Sequence, residues 1–244
     1  MIFTVLISVA LLGISFSGCE KDCELTPQSG YDIVGFDENC YYSPNGNGSI
    51  TDIDGNTYKT VTIGTQTWMA ENLKVTKYND GIAIPNVTDN TAWRELTTGA
   101  LCDYDNIPSN SETYGKLYNW HAVNTGKLCP TGWHVPSDAE WTELTDYLGG
   151  TSVAGGKLKE TGFTHWASPN TGATNETGFT ALPGGGRLDN GVTFSLIGFY
   201  GYWWSATELG ATYAWGRSMY YGDSNVYSYD VDKGVGFSVR CVRD

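Results

Sequence analysis

Positive charge is scarce in this chain of 244 residues: 14 Lys and Arg stand against 27 Asp and Glu, a formal net charge of −13. Sequence-independent binding to nucleic acid needs clustered Lys and Arg to neutralise phosphates, so no nucleic-acid partner is expected. Histidine is almost as sparse. His121, His134 and His165 show no HExxH-like spacing and no Cys at metal-ligand spacing, which excludes the usual zinc and copper patterns. A G-x-S-x-G nucleophile context is missing, and the three glycines before Arg187 lack the Lys-Ser/Thr ending of a phosphate loop. No acid is singled out by the apolar surroundings that would raise a carboxyl pKa for acid catalysis. No catalytic residue and no metal ligand is therefore assigned, and a structural calcium ion is the one cofactor left open.

One apolar run stands out, Ile2 to Phe16, too short to span a bilayer stably. It runs into Phe16-Ser17-Gly18-Cys19, small residues ahead of a Cys, which resembles the cleavage site of a bacterial lipoprotein signal. No Lys or Arg precedes the run. The expected organisation is a signal peptide at 1–18, an acidic Cys-containing spacer at 19–48 and one domain at 49–244. Cys19 would carry the lipid, holding the protein in the bacterial cell envelope, at the outer membrane or surface, through that anchor only. Export also means an oxidising compartment, in which Cys23, Cys40, Cys102, Cys129 and Cys241 remain. The pairing expected is Cys23 with Cys40 and Cys129 with Cys241, leaving Cys102 free; spacing alone does not choose it.

What is abundant is glycine and aromatic surface, with 31 Gly, 16 Tyr and 9 Trp, the composition of short elements and long loops filled by rings. Ile50 to Leu73 reads as a hairpin or meander with a turn at Asp54-Gly55, strand alternation over Tyr58 to Ile63, and a further strand at Thr67 to Met69. Asp52, Asp54 and Asn56 resemble a calcium loop only faintly, because Ile63 stands where the bidentate Glu belongs, and an Asx turn is the expectation. Asn79 to Asn110 and Gly155 to Gly178 read as loops, the first anchored by Trp93 and Cys102. A short helix is expected around Leu117 to Ala122. Ser137 and Glu140 form a capping box ahead of Trp141, Leu144, Tyr147 and Leu148, a helix stopped by Gly149-Gly150.

From Gly201 onward the period is two. Trp215, Arg217 and Met219 share one side of a strand, Tyr227, Tyr229 and Val231 one side of the next, and Phe237, Val239 and Cys241 point inward from the last.

Six stretches occur in order: DIDGNTYKTVTIGTQTWMAENL, YGKLYNWHAVN, LCPTGWHVPSDAEWTEL, FTALPGGGR, WWSAT and GFSVRCVRD. Together they resemble the Fibrobacter succinogenes major paralogous domain of exported lipoproteins, over about Ile50 to Asp244. Part of the set also resembles the formylglycine-generating-enzyme branch of the C-type lectin fold. The resemblance implies an α+β, C-type-lectin-like fold: a twisted antiparallel sheet, two short helices and long irregular loops. It brings no known activity. Formylglycine-generating relatives use a reactive cysteine pair near the C-terminal core, whereas here Cys241 stands alone in the closing strand, so that oxidase chemistry is not expected.

The functional expectation is recognition without chemistry. Tyr and Trp supply contact area for few rotatable bonds, and Ser, Asn, Asp and Gly supply adaptable hydrogen bonds. Tyr213, Arg217, Tyr220, Tyr221, Asp223, Asn225, Tyr227 and Tyr229 are the candidate ligand-binding residues, for a glycan or protein ligand at the cell surface. The competing expectations are an enzyme acting on glycan or protein through loop acids, and a purely structural envelope protein.

Overall fold

The domain opens as its alternation predicts. Strand β1 (Ser49–Thr51) pairs antiparallel with β2 (Thr57–Ile63), and β2 with β3 (Gln66–Met69). The turn between β1 and β2 is organised by Asp52, whose carboxylate accepts from the backbone N–H groups of Asp54 and Asn56, the Asn56 amide and the Tyr58 hydroxyl. That is an Asx turn with its acceptor oxygens taken, not a calcium loop. The computed structural model describes residues 48–188 and 193–244, which fall in the compact unit Asn45–Asp244. The signal segment, Cys19 and the Cys23–Cys40 pairing lie outside the described residues.

The remaining elements follow in chain order. First come helix α1 (Asn90–Arg94), β4 (Leu101–Cys102), α2 (Pro108–Tyr114), β5 (Leu117–Tyr118), α3 (Trp120–Val123) and β6 (Trp133–His134). Then come α4 (Asp138–Tyr147), α5 (Thr151–Leu158), β7 (Gly184–Arg187) and β8 (Phe194–Ile197). The chain closes with β9 (Tyr200–Leu209), β10 (Tyr213–Tyr220), β11 (Val226–Asp232) and β12 (Val242–Arg243). One sheet has the order β1-β2-β3-β12-β6, so the last strand returns to the first hairpin. A second sheet has the order β11-β10-β9-β7-β8, antiparallel except for the parallel β7–β9 pair. The fold is therefore mixed and rich in sheet, with short helices.

Five α-helices occupy the described residues where two were expected. Helix α1 interrupts the predicted loop at 79–110: the Asp89 side chain caps it by accepting from Ala92 N–H, and buried Trp93 pins it. Helix α5 follows the stop at Gly149-Gly150 and runs into the segment Gly155 to Gly178, which reads as loop from the sequence alone. Its Gly155 and Gly156 look like helix breakers, yet a Cβ on Gly155 would lie 2.3 Å from the Asn225 carbonyl oxygen, and one on Gly156 2.4 Å from that of Gly172. Close approach of the helix to the β10–β11 turn, at Gly155, and to the loop around Gly172, at Gly156, requires these glycines despite their propensity cost. The expected helix near Leu117 begins later, because Leu117–Tyr118 pairs with β4 and the Asn119 side chain caps α3 by accepting from Ala122 N–H.

Helix α4 carries the predicted capping box, with the Ser137 hydroxyl accepting from Glu140 N–H and the Glu140 carboxylate accepting from Ser137 N–H. Glu140 has a second task. His134 lies between two carboxylates, Nδ1 at 2.6 Å from Asp244 Oδ1 and Nε2 at 2.7 Å from Glu140 Oε1. Burial of the ring opposes protonation, but the hydrogen bonds and charges of Asp244 and Glu140 outweigh it and raise the His134 pKa above its ordinary 6.5. A raised pKa contributes stability that is complete below the unfolded value and fades as pH rises through the folded one. Thermal midpoints measured from roughly pH 6 to 8.5 should therefore fall more in the native chain than in His134→Gln; parallel curves would refute the assignment.

Candidate functional site

The alternation of β9, β10 and β11 sorts their side chains onto two faces. In the register, Gly216 lies opposite Trp204 and Tyr229, Ser218 opposite Tyr202 and Tyr227, and Tyr220 opposite Tyr200. Tyr200, Tyr202, Tyr220, Tyr227 and Tyr229 thus share one face. Trp204, Ala214 and Val231 lie on the same face farther along and are buried against Phe237. The opposite face puts Trp203, Met219 and Val226 into a second core with Trp141, Ala154 and Leu158 of the helices. Small residues at Gly216 and Ser218 leave room for rings to gather over the middle of the sheet.

The rings gather into a ladder. Phe237 stacks on Tyr202 at 4.7 Å and 6°, Tyr202 on Tyr200 at 5.4 Å and 2°, and Tyr200 meets Tyr220 at 4.6 Å. Tyr220 then meets Tyr221 edge-on at 4.6 Å, and Tyr221 meets Phe199 edge-on at 5.2 Å. Offset-stacked and edge-to-face pairs of this kind each contribute about 0.5–1.5 kcal/mol beyond burial. The ring faces are largely spent on one another.

The hydroxyls of Tyr202, Tyr220, Tyr227 and Tyr229 stay protonated at neutral pH. The hydrogen bond with Tyr221 moves the Tyr220 pKa up to about 12, and the hydrogen bond to Asp223 raises that of Tyr227 above its ordinary 10. Burial raises those of Tyr202 and Tyr229. These hydroxyls are therefore neutral groups able to donate and accept hydrogen bonds.

The turn between β10 and β11 is held from inside. Asp223 accepts from the Tyr227 hydroxyl at 2.6 Å and from Asn225 N–H at 2.9 Å, while the Asn225 amide donates to the Tyr227 oxygen at 2.9 Å. Beneath it Lys159, fully buried, donates from Nζ to the carbonyls of Thr171, Tyr220 and Asp223 at 3.0, 3.0 and 2.6 Å. Burial pulls the Lys159 pKa down to about 8, against the opposing charge of Asp223. An ammonium with three carbonyl acceptors fixes the turn's backbone to the end of α5 and to the loop before β7.

Not every expected residue joins this surface. Arg217 is buried on the opposite face, its guanidinium 2.6 Å from Asp138 Oδ1 and donating to the Ser228 hydroxyl at 2.7 Å and the Asp138 carbonyl at 3.1 Å. It ties the sheet to the start of α4 and is not a surface residue. Tyr213 is exposed but lies at the far end of β10, paired with Leu209 and Asp232. Tyr220, Tyr221, Asp223, Asn225, Tyr227 and Tyr229 do come together. Tyr200, Tyr202 and Phe199 belong with them and were missed; the signal was there in the Tyr-Gly-Tyr alternation, but only pairing with β10 shows that it meets Tyr220.

Cys129 and Cys241 form a disulfide, and Cys102 is a buried free thiol as expected. Burial pushes the Cys102 pKa up to about 12, which leaves little thiolate for chemistry. Two half-open depressions lie elsewhere, one among Val123, Leu128, Val135 and Ala206, the other beside Lys59, Glu71 and Thr180. No group of three or more His, Cys, Asp or Glu is placed to hold a metal ion among the described residues.

Residues 61–243, from within β2 to the end of β12, match the family described as the Fibrobacter succinogenes major domain. The chain belongs to that family. No curated protein and no solved structure shows significant similarity to the chain. The Fibrobacter succinogenes major domain thus takes in both five-stranded sheets apart from β1 and the first half of β2, the disulfide and the whole tyrosine ladder.

Proposed function

We propose that this Fibrobacter succinogenes major domain is a non-catalytic ligand-binding or adhesion module of the bacterial cell envelope, lipid-anchored through Cys19, that takes a glycan or a protein on its tyrosine face. The observation that carries the reading is the placement of Tyr200, Tyr202, Tyr220, Tyr227 and Tyr229 on one sheet face, with the rings of Tyr200, Tyr202 and Tyr220 stacked back to Phe237. Such a surface is ordered before a ligand arrives, which lowers the entropic cost of binding. Asp223 and Asn225 complete it with a carboxylate and an amide.

The same reading takes the fold to be C-type-lectin-like and related to the formylglycine-generating-enzyme branch. It is supported by the return of β12 to the first hairpin and by long segments with little strand between β3 and β7. No cofactor is assigned. Contact with the membrane is through the lipid only; among the described residues no helix is long and apolar enough to cross one.

A glycan array and an envelope-protein overlay, probed with the native chain and with Tyr220→Ala/Tyr221→Ala, test the site. Saturable binding should be lost in the double variant, and binding at native strength would move the site elsewhere. Turnover of a bound ligand would replace the module by an enzyme. Radiolabelled palmitate should enter the native chain and not Cys19→Ser; label retained in the variant would remove the anchor.

A further inference from the structure

Strand β11 is the outermost strand of its sheet, and its pairing pattern decides which backbone groups face away. Lys233 N–H donates to the Thr212 carbonyl, which makes Thr212 and Lys233 a bonded pair in the register that continues through Tyr213–Asp232. Bonded and non-bonded pairs alternate in an antiparallel ladder. The groups of Tyr227, Tyr229 and Val231 therefore point to β10, and those of Ser228 and Asp230 point outward. Helix α5 reaches only the start of the strand, where Gly156 N–H donates to Ser224 O. Beyond that point the outer edge has no backbone partner among the described residues.

Edges of this length are usually blunted by Lys, Pro, a bulge or a covering element. The sequence VYSYDVD has no Lys and no Pro, and its register against β10 is regular over seven pairs. Tyr227, Ser228 and Asp230 are exposed. The charges offered near this edge are carboxylates, Asp223, Asp230 and Asp232, because Arg217 is paired inside with Asp138, Lys233 is buried against Glu208 and Lys159 is buried. A second copy would set these acids against their own kind, in a chain of net charge −13.

Resting on the reading of the tyrosine face as the binding site, we propose that β11 takes an extended, Lys- or Arg-bearing segment of a protein partner as an added strand. Its backbone would bond to the outward groups of Ser228 and Asp230, one row of its side chains would lie beside Tyr227 and Tyr229, and a cation on the other row would sit across from Asp230.

The test uses the full chain and a capped peptide of alternating Lys and Thr, followed by fluorescence anisotropy at physiological ionic strength. Saturable binding is expected. N-methylation of alternate peptide bonds, which keeps the charge and removes the donors, should weaken it at least about tenfold. Ser228→Pro should weaken binding by a similar factor, because the proline removes an outward N–H and leaves the inner ladder intact. Ser228→Ala, which loses only the hydroxyl that Arg217 uses, should bind as the native chain does.

Equal affinity for the methylated and unmethylated peptides would overturn the proposal in favour of bare charge attraction, whether or not the proline variant folds. Absence of peptide binding, with array or overlay binding still lost in Tyr220→Ala/Tyr221→Ala, would overturn strand addition while leaving the tyrosine face in place. A concentration-dependent dimer abolished by Ser228→Pro would give the edge to a second copy instead.

Discussion

Removing the disulfide with Cys129→Ser/Cys241→Ser should lower the thermal unfolding midpoint by roughly 10–20 °C. The bridge joins positions 112 residues apart and ties the segment before β6 to the approach of β12. In the chain-entropy account a loop of that length stabilises by about 4–5 kcal/mol, acting on the unfolded chain. For a protein of this size about 1 kcal/mol moves the midpoint 2–4 °C. Both cysteines are buried, so each serine also brings an unpaired hydroxyl into a site built for sulfur. Calorimetry of the variant, and of the native chain after reduction, should agree within a few degrees. A shift of only two or three degrees in both would show that the surrounding sheet holds the closing strand without the bridge.

The second large effect is expected at Asn72, which sequence inspection passes over. Arg240 is fully buried beside Cys241, between the rings of Phe179 at 4.1 Å and Trp203 at 5.9 Å, and burial pulls its pKa down to about 9. The charge is met by dipoles rather than by a bonded carboxylate. Asn72 Oδ1 accepts from Arg240 Nε at 3.1 Å and Nη2 at 2.8 Å and from Trp203 Nε1 at 2.8 Å, while the carbonyls of Phe179 and Thr180 take the rest of the guanidinium. The Asn72 amide in turn donates to the Tyr114 carbonyl at 2.8 Å.

Asn72→Ala strands a buried cation and an indole donor together, and should cost about 3–5 kcal/mol by urea unfolding. Arg240→Met removes the charge along with its need for partners and should cost less. In the double variant the two losses should fall well short of adding, the sign of direct coupling. A cost below about 1 kcal/mol for Asn72→Ala would mean that water or a moved carbonyl replaces its oxygen.

Local signals were legible where neighbouring residues settle the matter between themselves. The capping box needs only Ser137 and Glu140, and the Asx turn only Asp52 and the four residues after it. The inward side of Phe237, Val239 and Cys241 follows from a period of two, and all three are buried. Alternation says nothing about the second side. Ser238 and Arg240 are buried as well, because the closing segment runs between two core layers and has no solvent face.

The candidate site divided along the same line. Its tyrosines announce themselves by composition, but composition does not carry register. Arg217 and Tyr220 stand three positions apart on β10, and the odd spacing puts one against Asp138 inside and the other in the ladder outside. Tyr213 drops out because it sits at the other end of the strand. Tyr200 and Tyr202 enter because β9 pairs with β10 in the one register that sets Tyr200 opposite Tyr220.

The sequence by itself determined the family, the capped helix α4, the turn at Asp52 and the order of the closing strand's faces, since each rests on hydrogen bonds or periods spanning a few residues. Only the tertiary structure decided that glycine-bearing α5 is a helix, that Asn72 serves Arg240 across 168 positions, and which tyrosines share a face. Those outcomes depend on strand register and on how closely layers approach, and both are set by contacts between residues far apart in the chain.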